Sequence, residues 1–304
     1  MRVVSIGECM IELSDRQADR WRMGFAGDTF NTLWYLRALL PADTQTDYVS
    51  AFGDDPFSAE QIAFLSEHGI GIARSPKIAG AVPGLYAITL DARGERSFTY
   101  WRSTAAARRL ADDPAALAAS LTGADLIYFS GITLAILEPA GRRTLLTEFA
   151  KARKAGAIIA FDPNYRPRLW AHADEARQTI GAAYDVASLA LPTFDDEAAL
   201  FGDADAQATI ARIAPHGPAR IVVKAGSDAA VLYDGGAMHT IAPPETVEPV
   251  DTTGAGDSFN GAFLASLLTG ASAPEATGYA HRIAGRVITH HGALMPLQAL
   301  AALR

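Results

Sequence analysis

Short runs rich in Val, Ile and Ala alternate with longer amphipathic segments along the 304 residues, and this alternation narrows the available folds more than any other feature. Continuous apolar runs read as strands buried on both faces, which occur where a mostly parallel sheet is covered by helices on either side. Strands are expected at 3–6, 48–52, 126–129, 157–161, 186–191 and 221–224. Helices are expected at 29–40, 56–68, 139–155 and 174–184. Nothing repeats and no low-complexity linker intervenes, so residues 1–304 read as a single α/β domain.

One region departs from the pattern. Leu85-Tyr86-Ala87-Ile88-Thr89-Leu90 and Arg96-Ser97-Phe98-Thr99-Tyr100-Trp101 read as two strands around a turn at 91–94. A lone hairpin is marginal in water and must pack on something. It is either an excursion at the sheet edge or a separate small sheet.

Net charge is −8, from 26 basic and 34 acidic residues, with no block of like charge. The chain therefore carries no electrostatic footprint for nucleic acid or an anionic membrane. Cys9 is the only cysteine, and neither a signal-peptide pattern nor a membrane-length apolar run is visible, so a reduced, cytoplasmic location is the expectation. The seven histidines include no pair with zinc-site spacing.

Chemistry is concentrated in Asp251-Thr252-Thr253-Gly254-Ala255-Gly256-Asp257. This small-residue turn opens a helix near Asp257, and the first amides of such a helix lack intrahelical acceptors and suit a phosphate. Asp257 at the same point is within reach of a hydroxyl attacking that phosphate, although an Asp there also serves as an ordinary cap.

The string D-T-T-G-A-G-D-S-F-N-G-A-F-L resembles the C-terminal signature of the ribokinase/PfkB sugar kinases. Other segments extend the resemblance over nearly the whole chain: Gly7-Glu8, Ala26-Gly27-Asp28-Thr29-Phe30-Asn31, Phe52-Gly53-Asp54-Asp55, Asp162-Pro163-Asn164-Tyr165-Arg166 and Val223-Lys224-Ala225-Gly226. It implies a ribokinase-like three-layer sandwich with a small β lid from about 9–22 and 84–103. It also implies Asp257 as catalytic base, with Gly254, Ala255 and Gly256 as the anion hole. Gly27 and Asn31 match sugar-binding positions. Lys224, Gly226, Ser227, Thr253, Gly254 and Gly256 fall on the nucleotide side, flanked by a helix at 275–290. Asp251 and Thr253 match positions that support a monovalent cation such as K+.

ATP is the implied donor, and Mg2+ follows because charge on its phosphates must be neutralised. Two positions depart from the family pattern. Ser58 stands where G-x-D-x-x-G has its last glycine, and Thr193-Phe194-Asp195-Asp196 stands where the family shows N-x-x-E. Asp196 is thus a candidate for the magnesium water shell, or part of an acidic first helical turn.

The stretch from Gly94 to Ala107 resembles that of the 2-keto-3-deoxygluconate kinases within the family, which implies an acid sugar phosphorylated on its 6-hydroxyl. A guanidinium gives bidentate recognition of a carboxylate. Arg102 is the first candidate, Arg166 the second and Arg168 a third, while Tyr86 and Tyr100 match tyrosines that meet the substrate. The resemblance also implies lids that pair in a homo-oligomer, for which Tyr86, Phe98 and Trp101 would be the apolar set. The rival readings are a fructokinase or other neutral-sugar kinase, a binding protein without catalysis, and a dinucleotide dehydrogenase. The last lacks an early G-x-G-x-x-G.

Overall fold

A computed structural model of the chain describes residues 1–17, 19–90 and 96–303. The chain opens with β1 (Arg2–Ile6), β2 (Met10–Gln17) and β3 (Arg20–Ala26), then the helix Asp28–Leu39 and β4 (Gln45–Val49). The short strands β5 (Phe52–Gly53), β6 (Ile70–Gly71) and β7 (Lys77–Ile78) lead to β8 (Leu85–Leu90) and β9 (Arg96–Trp101). The turn expected at 91–94 lies outside the described residues. The chain continues with β10 (Leu126–Ser130), β11 (Ile158–Asp162), β12 (Leu189–Ala190), β13 (Arg220–Val223), β14 (Ala230–Asp234) and β15 (Ala237–Ile241).

Among the described residues, nine strands form one sheet in the order β15-β14-β13-β12-β11-β10-β1-β4-β6. Every pairing from β13 to β6 is parallel, and β14 and β15 add an antiparallel edge. Successive strand residues point to opposite faces, and two cores follow from that period. Val3, Leu126, Tyr128, Ala160 and Val222 pack with the helices Asp28–Leu39, Ala255–Leu268 and Ala273–Val287. Val4, Ile127, Phe129, Ile159 and Val223 pack on the other side, against Leu145 and Phe149 of the helix Pro139–Lys154 and Ile180 and Tyr184 of Ala173–Val186. The result is the expected three-layer α/β sandwich.

All six expected strands coincide with strands, with shifted ends. The run expected at 48–52 is strand only over Gln45–Val49, because its register with β1 ends at Ile6↔Val49 and Phe52 turns away to pair with Lys77. The run at 186–191 shrinks to Leu189–Ala190, since Val186 closes the preceding helix.

A second sheet, β3-β2-β8-β9, stands apart from the first. Its two hairpins meet through a parallel β2–β8 pairing, Ile11↔Leu85 to Leu13↔Ala87. This separate sheet, and not an edge excursion, is what the hairpin packs into. Tyr86 and Phe98 share one face with rings 6.2 Å apart, whereas Trp101 pairs with Leu85 on the other face. The expected apolar trio therefore does not form one surface.

Candidate active site

Gly254 precedes the helix Ala255–Leu268 with φ 78°, and no side chain caps the helix start. A Cβ at Gly254 would lie 2.9 Å from the Ala293 carbonyl oxygen, so both the backbone angle and the space require glycine. The helix thus begins two residues earlier than the sequence implied, and Asp257 is its third residue. The expected three-amide hole is also corrected. The Ala255 N–H donates to the Thr252 carbonyl at 3.2 Å, while those of Gly254 and Gly256 have no protein acceptor among the described residues.

Asp257 Oδ2 accepts a hydrogen bond from Asn31 Nδ2 at 2.8 Å, joining the first turns of two helices. The Gly27 N–H donates to Asn31 Oδ1 at 3.3 Å, and a Cβ on Gly27 would stand 2.2 Å from the Glu8 carbonyl oxygen. That close approach draws the start of the Asp28 helix against the loop after β1. The Asp257 carboxyl is pushed up to about 7 by burial and by repulsion from Asp28 and Asp162, against the Asn31 bond and the Lys224 charge.

Lys224, expected on the nucleotide side, is anchored beneath the turn. It is buried, with Nζ 2.8 Å from Asp162 Oδ2 and 2.9 Å from Asn260 Oδ1. Asn260 Nδ2 donates to the same Asp162 oxygen at 2.6 Å and to the Tyr128 hydroxyl at 3.0 Å. The Lys224 ammonium lies 3.9 Å from the Cβ position of Gly256, beside the open amides. Gly226 and Ser227, in the turn between β13 and β14, are exposed.

Asn164 Nδ2 donates to Asp28 Oδ2 at 2.9 Å, from a residue held at φ 37°, a left-handed conformation that Asn tolerates better than most. Burial raises the Asp28 carboxyl, against hydrogen bonds from Ser130, Thr29 and Asn164. Asp28, Asp162, Asn164 and Asn260 were not among the residues singled out from the sequence. All four lie inside the quoted motifs, and Asn260 falls one helical turn after Asp257.

On the side of the small sheet, Tyr86 donates its hydroxyl to Glu12, and its ring lies 5.7 Å from that of Tyr100. Arg102 sits over the Tyr100 ring at 5.8 Å and donates from Nη2 to buried Glu8. Glu8 Oε1 and Arg102 Nε are buried without a hydrogen-bond partner. Arg166 lies on the far side, with Nη1 3.2 Å from both oxygens of Asp196. Burial raises the Asp196 carboxyl and Arg166 opposes it. Among the described residues no group of three His, Cys, Asp or Glu is placed to hold a metal ion, and no helix is long and apolar enough to cross a membrane.

Asp251 and Thr253 do not present a vacant ion site. Arg96, the first residue of β9, donates from Nη1 to Asp251 Oδ1 and to Thr253 Oγ1, the latter at 2.7 Å. A cavity of about 770 Å³ opens beside this contact, between the small sheet and the 291–296 loop, lined by Glu12, Arg22, Ile88, Thr253 and Met295. Asp257 and the residues expected to bind sugar do not line it.

A sandwich of this topology, with a carboxylate behind a helix start that has open amides, defines a phosphotransferase class. The pattern described as pfkB family carbohydrate kinase matches residues 1–300, and the chain belongs to that family. The chain is 41% identical over 308 residues to the 2-dehydro-3-deoxygluconokinase of Dickeya dadantii (strain 3937), covering 99% of this chain and 98% of that one. It is 39% identical over 307 residues to the enzyme of the same name from Escherichia coli (strain K12), covering 99% of each. Among solved structures, a PfkB protein from Polaromonas sp. JS666 superposes with a TM-score of 0.85 at 25% identity, covering 99% of each chain.

Proposed function

We propose that this chain transfers the γ-phosphoryl group of ATP to the 6-hydroxyl of 2-keto-3-deoxygluconate. The names of the two full-length relatives support the acceptor. The observation that carries the mechanism is Asp257, held by Asn31 in the first turn of a helix whose Gly254 and Gly256 amides are open.

Asp257 takes the hydroxyl proton as the oxygen attacks, and a carboxyl titrating at about 7 suits that exchange near neutral pH. The Gly254 and Gly256 amides, with Lys224 behind them, hold charge that develops on the phosphoryl oxygens. Mg2+ bound with the nucleotide would neutralise charge on its phosphates. Asp196, half-buried beside Arg166, is the residue that would meet the ion's water shell. The small sheet acts as a lid that brings Tyr86, Tyr100 and Arg102 to the sugar and excludes water.

A neutral-sugar reading has one observation in its favour, because Glu8 already neutralises Arg102. The deciding experiment measures ADP release with 2-keto-3-deoxygluconate, related sugar acids, fructose and ribose. Turnover that depends on the carboxylate is expected. Preference for fructose would replace the acceptor, and no ADP release with any sugar would overturn the kinase reading.

A further inference from the structure

Besides the apolar packing of Ile11 and Phe25 on the body, one side chain ties the far strand of the small sheet to the Asp251 loop. Arg96 stands 155 residues from Asp251 in sequence, on the outermost strand of the small sheet, and its Nη1 reaches both Asp251 and Thr253. Asp251 is buried and ties together three segments. Besides Arg96 on the small sheet, its Oδ1 accepts the Thr253 N–H at 2.9 Å and its Oδ2 accepts the Gly292 N–H at 2.6 Å. Thr253 immediately precedes the first open amide.

A monovalent metal ion here would require oxygen ligands, and the side-chain oxygens available are the Asp251 carboxylate and the Thr253 hydroxyl. Arg96 Nη1 already holds both Asp251 Oδ1 and Thr253 Oγ1, so a bare ion there would meet a fixed positive charge, and these residues do not fit one. The positive charge that a metal would supply is covalently part of the small sheet. We propose that the Arg96 guanidinium is the cation of the Asp251 loop, latching the small sheet to the phosphoryl-transfer site and making the reaction independent of monovalent metal ions. The proposal rests on the kinase reading above. Arg96 acts through Asp251 and Thr253, so it is a positioning residue.

The test compares the unaltered protein with Arg96→Ala and Arg96→Lys, using MgATP and the sugar acid in potassium chloride or tetramethylammonium chloride at one ionic strength. The unaltered protein is expected to give the same rate in both salts. For an ion pair whose arginine side chain is 28% exposed, Arg96→Ala should lose about tenfold in kcat/KM. It should also recover part of that loss in potassium and hydrolyse more ATP per sugar phosphorylated. Arg96→Lys, which keeps the charge but not the fork, should fall between the two. A merely structural role would lower stability without potassium rescue or a changed coupling ratio. Potassium dependence of the unaltered protein, or Arg96→Ala with unchanged rate and coupling, overturns the proposal. If the unaltered protein phosphorylates no acceptor, the kinase reading fails separately. Amide hydrogen exchange then reads the latch, with faster exchange in β8 and β9 of Arg96→Ala supporting it and equal protection overturning it.

Discussion

Replacing Asp257 with Asn separates what this carboxylate does for the reaction from what it costs the fold. An aspartate in an unfolded chain releases its proton near 3.9, whereas Asp257 in the folded protein holds it up to about 7. Between those values the folded state binds the extra proton, so stability falls as pH rises through the window and the full penalty stands above pH 7. At about 1.4 kcal/mol per pKa unit, an interval of about three units amounts to about 4 kcal/mol. Solvent reaching the partly exposed carboxylate reduces this to about 1–3 kcal/mol. Asn removes the ionisation and still offers an oxygen to Asn31 Nδ2.

Two measurements read this substitution. Urea unfolding at pH 8 should show Asp257→Asn more stable than the unaltered protein by about 1–3 kcal/mol, with the gain gone near pH 3, where both states are protonated. Coupled ADP assays should show turnover lower by about 10²–10⁴, and the rise of kcat/KM through about pH 7 expected of the unaltered protein should be lost. Unchanged turnover would remove Asp257 from the chemistry. An Asn variant less stable at pH 8 would refute the electrostatic account of its pKa.

Three further substitutions probe the surroundings. Lys224→Met strips the ammonium from buried Asp162 and should cost about 3–5 kcal/mol in urea unfolding, most of it recovered by adding Asp162→Asn; a loss under about 1 kcal/mol would count against the pairing. Gly254→Ala, at φ 78° and against the Ala293 backbone, should lower kcat by about tenfold or more while circular dichroism stays native. An undiminished rate would show that the turn does not shape the open amides. Arg102→Gln should reduce kcat/KM for the sugar acid about 10–100-fold more than for its neutral alcohol counterpart, and the combination with Glu8→Gln controls for the orphaned carboxylate; equal losses on both substrates would take the carboxylate away from Arg102.

Much of the fold was legible because its strands are buried on both faces and leave continuous apolar runs. Where that condition fails, the reading failed too. Residues of β15 are mostly exposed, and Ala237-Met238-His239-Thr240-Ile241 carries no unbroken apolar run. The strand β12 is paired over only two residues, so the longer apolar run around it overstated its length. The helix start at Gly254–Asp257 was legible to within two residues because its geometry is local, a small-residue turn with Gly254 at positive φ. The partner of Ala255 was not, since amide accounting depends on how tightly the preceding turn closes. Contacts between distant segments left no sequence signal. Lys224 meets residues 62 positions before it and 36 after it, and only the sheet order brings β11, β13 and the Ala255 helix together.

In the proposed reaction, those long-range contacts set one carboxylate among several apart as the base. Asp28, Asp162 and Asp257 sit close enough to influence one another. Asp162 is given the Lys224 ammonium and the Asn260 amide, which stabilise its charge in a buried position. Burial raises the Asp28 carboxyl too, but Asp28 takes hydrogen bonds from Ser130, Thr29 and Asn164. Asp257, half-buried like Asp28, receives a single side-chain amide from Asn31 in the first turn of its helix. It is therefore the carboxylate whose proton affinity lies near neutrality while its reach toward a hydroxyl is unobstructed by a cation. Lys224 already lowers that affinity from its place beside Asp162, and a closer approach would lower it further and weaken the base in the proposed reaction, so the Lys224–Asp162 pair sets how strongly the ammonium acts on Asp257.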